Sequence, residues 1–483
     1  MDAYDVVPYD SLPIRETHPE HLAVLGRLYG LETPDPQRAR VLELGCASGG
    51  NLIPMAFYLP DARFVGIDLS AQQILQGQRR IASLALGNID LRQGDLAILG
   101  EEDPGEFDYI IAHGVYSWVP ESVREALLAL CRARLSVNGV AYISYNTLPG
   151  WRMRGMLRDI ALYAARTGDT PCAKARAVRA GLTRLQAALG DLGALSARYL
   201  RAEIPVLLDN PDSYLLHEYL AENNTAFLFS DFFAAAERHQ LTYLCDAELH
   251  TEFPQLLGDA AEAALADIDD AITLGQWLDF VRARNLRRSL LVRDDAQLGE
   301  GIDLDAFTQF AFFADLVPPA KLDLRKAKRI PFRRPDGESF DVEHPLTKAA
   351  LVELCTRYPD AVRMNDLLPA ASQRLVAEGG ERYVAQSGEL FAEWFALFTR
   401  GAVRARLAPF HHRRNSTVAP RPNALAREQI DAGEAQVTTL HHEAFTLDAS
   451  MHKFLRSLAG TPPSASAEKT HWLEQFARYG LLE

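Results

Sequence analysis

Residues 41–51 read Val-Leu-Glu-Leu-Gly-Cys-Ala-Ser-Gly-Gly-Asn, an apolar run that meets a glycine-rich turn and then a helical pattern, NLIPMAFYL (51–59). Glycines let a backbone turn sharply and approach a ligand with no Cβ in the way. At the end of the first strand of a parallel sheet, such a turn is where a nucleotide-like cofactor binds. The stretch is not the dinucleotide pattern G-x-G-x-x-G, because Gly45 is followed by Cys-Ala-Ser-Gly-Gly, and it lacks the Lys-Ser/Thr pair of a phosphate-binding P-loop. Glu43 lies inside the strand just before the turn, where a negative charge repels a pyrophosphate and favours a cationic ligand.

The same rhythm extends on both sides. RVLELG (40–45), FVGIDL (64–69), IDLRQGD (89–95), FDYIIAHG (107–114) and GVAYISYN (139–146) alternate with helical runs such as QQILQGQRRIASLAL (72–86) and VREALLALCRARL (123–135). That alternation predicts βαβ units and a doubly wound parallel sheet, an α/β, Rossmann-like fold. The second strand ends at Asp68, placed to accept ribose hydroxyls, and the third at Gly94-Asp95, where a carboxylate meets the exocyclic amine of adenine. One acid at a strand end is usually a helix cap or turn residue. Three at consecutive strand ends, in register with a glycine turn, predict a cofactor site.

After Gly150 helix formers take over as far as Asn210-Pro211, a helical extension of the catalytic unit. From Tyr214 to Arg293, SDFFAAAERHQLTYLCDAEL (230–249) and LGQWLDFVRARNLRRSLLVR (274–293) each couple a helical pattern to a strand-like run, which reads as a small mixed domain. Beyond Gly301, HPLTKAALVELCTRYPDAVRMNDLL (344–368) gives helix, turn and helix, and GAVRARLAPF (401–410) a strand, an order that suggests a winged-helix-like domain. The domains are therefore expected at 1–200, 201–300 and 301–483.

Composition narrows the class. A formal charge of −14 over 483 residues argues against broad nucleic-acid binding through phosphate neutralisation. Five cysteines with no C-x-x-C indicate neither a disulfide framework nor a zinc cluster, and a reducing compartment fits. The start lacks the basic and apolar regions of a signal peptide, and no run of about 18 apolar residues occurs, so a cytoplasmic protein without membrane insertion is expected. The histidines, including the His411-His412 and His441-His442 pairs, show no ligand spacing, and no metal is predicted. The basic runs Arg287-Arg288, Arg325-Lys326-Ala327-Lys328 and Arg413-Arg414 read as solvated faces.

These motifs resemble the class I S-adenosylmethionine-dependent methyltransferases. VPYDSLPIRETHPEHLAVLGRLYGL (7–31), LGCASGGNLIPMA (44–56), DYIIAHGVYSWVP (108–120) and ISYNTLPGW (143–151) are similar to a bacterial family with a methyltransferase regulatory domain, which includes rickettsial lysine methyltransferases of outer-membrane proteins. The family's Gly-Asp/Asn-Gly-Gly turn is here Ala47-Ser48-Gly49-Gly50. The resemblance implies S-adenosyl-L-methionine as cofactor, with Glu43, Gly45, Gly49 and Asn51 at its methionine part, Asp68 and Leu69 at the ribose, Gly94 and Asp95 at the adenine, and His113 and Gly114 near the sulfonium. It also implies a protein substrate, an outer-membrane or surface protein before export, and allows a homodimer.

Around the expected methyl position, Tyr116, Trp118, Tyr145, Asn146 and Trp151 offer aromatic walls with polar ends, suited to a lysine side chain through cation–π contact and exclusion of water. His113, Tyr116 and Tyr145 are the candidate proton acceptors, and Tyr4, Tyr9 and His18 could fold over the cofactor. Protein-lysine methylation is thus the leading expectation. Two others stay open: a small-molecule or natural-product methyltransferase, and a regulatory protein that senses the cofactor without turning it over.

Overall fold

The computed structural model describes residues 11–96, 105–412, 420–458 and 467–483. Its centre is a seven-stranded sheet of β1 (Arg40–Leu44), β2 (Arg63–Asp68), β3 (Ile89–Gln93), β4 (Phe107–Ala112), β5 (Leu135–Asn146), β6 (Leu241–Asp246) and β7 (Leu286–Arg293), ordered β3-β2-β1-β4-β5-β7-β6. β7 runs antiparallel to both neighbours, and the other pairs are parallel. Strand order reverses between β1 and β4, so their carboxyl ends flank the crevice where ligands of such sheets bind.

Alternate residues of each strand serve opposite faces. Val41, Tyr109, Ile111, Val140 and Tyr142 pack with α1 (Pro19–Leu28), α2 (Leu52–Tyr58) and α3 (Ala71–Ser83). Leu42, Leu44, Ile110, Ala141, Ile143 and Tyr145 pack on the other face with α4 (Glu121–Arg134) and with Phe232, Ala235 and Ala236. Between β5 and β6, α5 (Gly150–Ala165), α6 (Pro171–Leu189) and α7 (Leu195–Asp209) form the expected helical extension around their own core of Leu157, Ala161, Val178, Leu182 and Ile204, closed by a π-helical turn, Leu215–Tyr219.

The segment expected as a separate small mixed domain is not set apart from the sheet. After α8 (Phe229–Arg238), β6 enters at the edge, and after α9 (Asp259–Leu265) and α10 (Ala271–Arg282), β7 fills the gap beside β5, with Ala141 opposite Leu291 and Asn146 opposite Leu286. The helical insertion after β5 separates these strands from the rest in sequence, which hides that β5 needs a partner.

The remainder packs against the α1 face. β8 (Ala311–Phe313) is the centre of a small sheet, followed by the hairpin β9 (Ile330–Arg333) and β10 (Ser339–Val342). α11 (Pro345–Arg357), β11 (Val362–Arg363), α12 (Met364–Ala377), α13 (Ser387–Thr399) and β12 (Arg404–Arg406) then follow in a winged-helix-like order. Phe307, Phe312, Leu351 and Trp394 belong to the same buried cluster as Leu22, Leu25 and Tyr142, so this unit shares its core with the sheet. A last unit, not separated in the sequence reading, comprises α14 (Ala424–Asp431), the hairpin β13 (Gln436–Thr438) and β14 (Ala444–Thr446), α15 (Ala449–Ser457) and α16 (Ala467–Arg478), around Ile430, Val437, Phe454 and Phe476.

Candidate active site

β1 ends in a turn that only small residues can make. Gly45 and Gly49 lie at φ of 75° and 77°, and a Cβ on Gly45 would stand 2.6 Å from Val115 in the loop after β4. Asp68, at the end of β2, accepts from the Ala47 backbone N–H at 2.8 Å and from Ser70 N–H at 2.9 Å, so it shapes the turn from the neighbouring strand. The N-terminal segment lies across this turn: Gly50 N–H donates to Ser11 Oγ at 2.8 Å and Ile14 N–H to Asn51 Oδ1 at 2.9 Å. His18 caps α1 and is half-buried, while Tyr4 and Tyr9 lie outside the described residues.

Under the turn, Glu43 is buried at 3% exposure. Its Oε1 accepts from Asn51 Nδ2 at 2.7 Å, and its Oε2 has no partner. Burial raises its pKa to about 8, the Asn51 hydrogen bond opposes that shift and the Asp68 charge adds to it. A buried carboxylate oxygen without a donor is costly, and a cation brought to it removes that cost. Further along the crevice, Leu69 is exposed, Gly94 N–H donates to the Asp68 carbonyl at 3.0 Å, and Asp95 follows at the surface.

At the β4 side, His113 Nδ1 stands 2.9 Å from Tyr142 Oη, and burial lowers its pKa to about 4, so the imidazole is neutral at physiological pH. Gly114, exposed and at φ 66°, is held by Ser144 Oγ at 2.8 Å, and a Cβ there would meet no atom within 4 Å. Open space therefore lies in front of the β4 end.

The aromatic candidates divide. Tyr116 and Tyr145, 2% and 1% exposed, are core residues of the α4 face: Tyr145 stacks on Phe232 at 4.0 Å and its hydroxyl pairs with Ser289, and Tyr116 packs edge-on against Phe227 and Phe232. Their place in β5 and the loop after β4 was legible, but odd and even strand residues face opposite ways, and Tyr145 faces inward. Trp118, half-buried, meets the buried Trp151 edge to face at 6.1 Å beyond the strand ends, and Tyr219 of the π-turn, buried in the core of the helical extension, continues the row at 6.4 Å from Trp151. Asn146 is buried, its Nδ2 3.4 Å from Asn224 Oδ1, and Asn224 in turn donates to the Glu218 carbonyl at 3.0 Å.

The fold matches known methyltransferases. A methyltransferase-domain family matches residues 42–141, and a predicted methyltransferase regulatory domain matches 211–293, the stretch that supplies β6 and β7. Two uncharacterised Rickettsia prowazekii proteins are 37% identical: RP789 over 66% of this chain and 58% of its own length, and RP028 over 49% of this chain and 94% of its own. PKMT2 of Rickettsia typhi, solved in complex with AdoHcy, is 26% identical, with a TM-score of 0.85 over 98% of this chain and all of that one. The chain belongs to the S-adenosylmethionine-dependent methyltransferases that carry a regulatory domain.

For this methyltransferase the cofactor is S-adenosylmethionine, and the residues present fit it: the unpaired Glu43 Oε2 awaits a positive group beside a turn in which Gly45 and Gly49 carry no side chain. Among the described residues no helix is long and apolar enough to cross a membrane.

Three features escaped the sequence reading. Glu218, half-buried in the π-turn next to Tyr219, has its pKa raised by burial to about 7, with Arg154 opposing the shift. A π-turn has no sequence signature, although Tyr214 to Tyr219 directly after Asn-Pro marked a break. Arg287, expected on a solvated face, is fully buried: it pairs with Asp279 at 2.8 Å, and its guanidinium lies 3.7 Å from the Phe229 ring centre. Arg284 likewise pairs with the buried Asp246 at 2.8 Å. Arg325, Lys326 and Lys328 are exposed as expected, and Arg413-Arg414 lie outside the described residues. Finally, His442 of the last unit reaches Asn51 at 2.8 Å, a contact between residues 391 positions apart.

Proposed function

We propose that this methyltransferase N-methylates lysine side chains of a protein substrate. The observation that carries the reading is the Trp118–Trp151–Tyr219 row beyond the strand ends, with Glu218 next to Tyr219 in the π-turn and its pKa raised to about 7. Aromatic faces attract an ammonium, and a carboxyl with a pKa near 7 can take its proton at neutral pH. The resemblance to rickettsial lysine methyltransferases and the likeness to PKMT2 along nearly the whole chain support the same choice.

Bound S-adenosylmethionine supplies an activated methyl group on a sulfonium. Glu43, Asn51 and the glycine turn hold its methionine part, Asp68 and Leu69 stand at the ribose, and Gly94 and Asp95 at the adenine. His113, neutral and fixed by Tyr142, and Gly114 border the open space where nucleophile and methyl group meet, so alignment carries most of the acceleration. Trp118, backed by the buried Trp151, guides the lysine stem and excludes water, and Glu218 receives the ammonium proton. Asn146 fixes the loop carrying Asn224 and so the π-turn.

A second reading has one observation in its favour. A cavity of about 340 Å³ opens between α1, the loop after β6 and β12, lined by Arg15, Arg404 and Arg406 together with Glu16, Glu20 and Glu248. Its mixed charges and volume suit a polar small molecule. Incubation with methyl-labelled S-adenosylmethionine and outer-membrane extract decides: label in protein, recovered as methyl-lysine after hydrolysis, is expected. Label only in solvent-extractable compounds overturns the lysine reading in favour of the small-molecule one.

A further inference from the structure

The last unit of the chain is built into the wall of the cofactor site. Its hairpin turn, Thr439–Glu443, is closed by Thr439 N–H donating to the Glu443 carbonyl at 2.8 Å, and His442 takes a left-handed conformation at φ 59°, rare for a residue with a side chain. That conformation aims the two neighbouring histidines apart. His441 stacks on Phe313 at 3.9 Å and meets the Pro359 carbonyl at 2.9 Å, whereas His442, 2% exposed, reaches Asn51 Oδ1 at 2.8 Å. Glu443 adds an ion pair with Arg404 at 2.6 Å and one with Arg15 at 3.5 Å. The same unit grips the two helices that follow the glycine turn and β2: Asn423 Nδ2 lies 3.2 Å from Tyr58 Oη, and Arg80 pairs with Glu428 at 2.9 Å and Glu434 at 2.8 Å.

Proton bookkeeping fixes what His442 does. Ile14 N–H can only donate, so the atom it meets on Asn51 is the amide oxygen, and the Asn51 NH₂ must face Glu43 and Thr17. His442 is neutral, because burial lowers its pKa to about 3, and it must carry its proton on Nε2 to donate to that oxygen. It thereby holds the amide in the one orientation that satisfies Glu43 Oε1 and leaves Oε2 for a cation. A reversed amide would turn its oxygen on the carboxylate.

We propose that His442 is a positioning residue of the cofactor site, acting through Asn51 on Glu43, and that cofactor affinity is thereby coupled to docking of the C-terminal unit. Coupling of this kind is reciprocal: what seats the hairpin tightens the cofactor, and the cofactor seats the hairpin. The charged and titratable groups that bear on Glu43 are Asp68 and the Cys46 thiol; those around His442 are Glu16 and His18, with the His18 ring 5.2 Å away. His442 acts on the cofactor side of the crevice whichever group accepts the methyl.

The test uses the full chain and S-adenosylhomocysteine, titrated calorimetrically between pH 6 and pH 9 in buffers of different ionisation enthalpy. His442→Ala is expected to weaken binding by about tenfold, as loss of one oriented hydrogen bond at a buried site does, and to move the pH midpoint of proton release upward. His442→Gln, whose amide N–H can replace the Nε2 donor, is expected to restore both. If the alanine chain does not fold, His442→Met, which fills the space without a donor, takes its place. An alanine or methionine variant with wild-type affinity and an unmoved pH midpoint overturns the proposal, and so does a glutamine variant no better than alanine. Failure of the wild-type chain to bind would instead count against the cofactor assignment.

Discussion

The Glu43 carboxylate and the Asn51 amide, 2.7 Å apart, form a half-finished pair: one carboxylate oxygen is satisfied, and the other is buried with nothing to accept from. Because Glu43 has a pKa near 8, it is mostly protonated in the cofactor-free protein at pH 7, whereas a bound cation requires it ionised. Cofactor binding should therefore release close to one proton at pH 7, and affinity should rise with pH up to about 8 and then level off. The sign for stability is opposite. A carboxyl raised in the folded state binds its proton more tightly there than in the unfolded chain, so cofactor-free stability falls as pH climbs from about 4.5 to 8. Calorimetric proton counting and melts across that range check both, and Glu43→Gln should abolish the pH dependence of binding.

Tyr145 lies parallel on Phe232 in the core and touches Ser289 with its hydroxyl, which makes it a packing residue. Tyr145→Phe should leave kcat/KM within about twofold of wild type and cost about 1 kcal/mol of stability, the net worth of one buried hydrogen bond. A hundredfold loss of rate in a stable Tyr145→Phe chain would show that its hydroxyl acts in catalysis.

The contrast between Tyr116 and Trp118 shows where sequence reading stops. Glycine turn, strand ends and their acids are consecutive in the chain, so Glu43, Asp68 and Gly94-Asp95 could be placed from periodicity alone. Which way a loop aromatic points depends on what packs against it, and Phe227 and Phe232 come from beyond the helical insertion. The same insertion concealed that β6 and β7 complete the sheet. His442 meets Asn51 only through the tertiary fold, and no local pattern encodes that.

Arg287 and Asp279 form a buried pair with no water-exposed edge. Arg287→Met leaves an unpaired carboxylate in the core, and the expected cost is about 3–5 kcal/mol in denaturant melts. Replacing both partners with apolar residues should recover only part of that loss, because Glu252 and Asp246, 3.6 and 3.9 Å from the Arg287 guanidinium, lose the same partner. A single variant as stable as wild type would show that Arg284, 3.8 Å from Asp279, suffices to neutralise it.

Glu218 gives the sharpest test of the lysine reading. Its pKa near 7 places its ionisation in the working pH range, and only the ionised form can accept a proton from an ammonium. The kcat/KM of the wild type should rise with pH through about 7. In Glu218→Gln that limb should vanish and the rate at neutral pH should fall on the order of 10²-fold, the scale of a lost general base. S-adenosylhomocysteine affinity should be unchanged, since Glu218 is not among the cofactor-holding residues. Raising the pH toward 10 should recover part of the activity, because a lysine of ordinary pKa near 10.4 then deprotonates without help. A Glu218→Gln profile that keeps the wild-type limb would assign the titration to another group and leave Glu218 as a support of the π-turn.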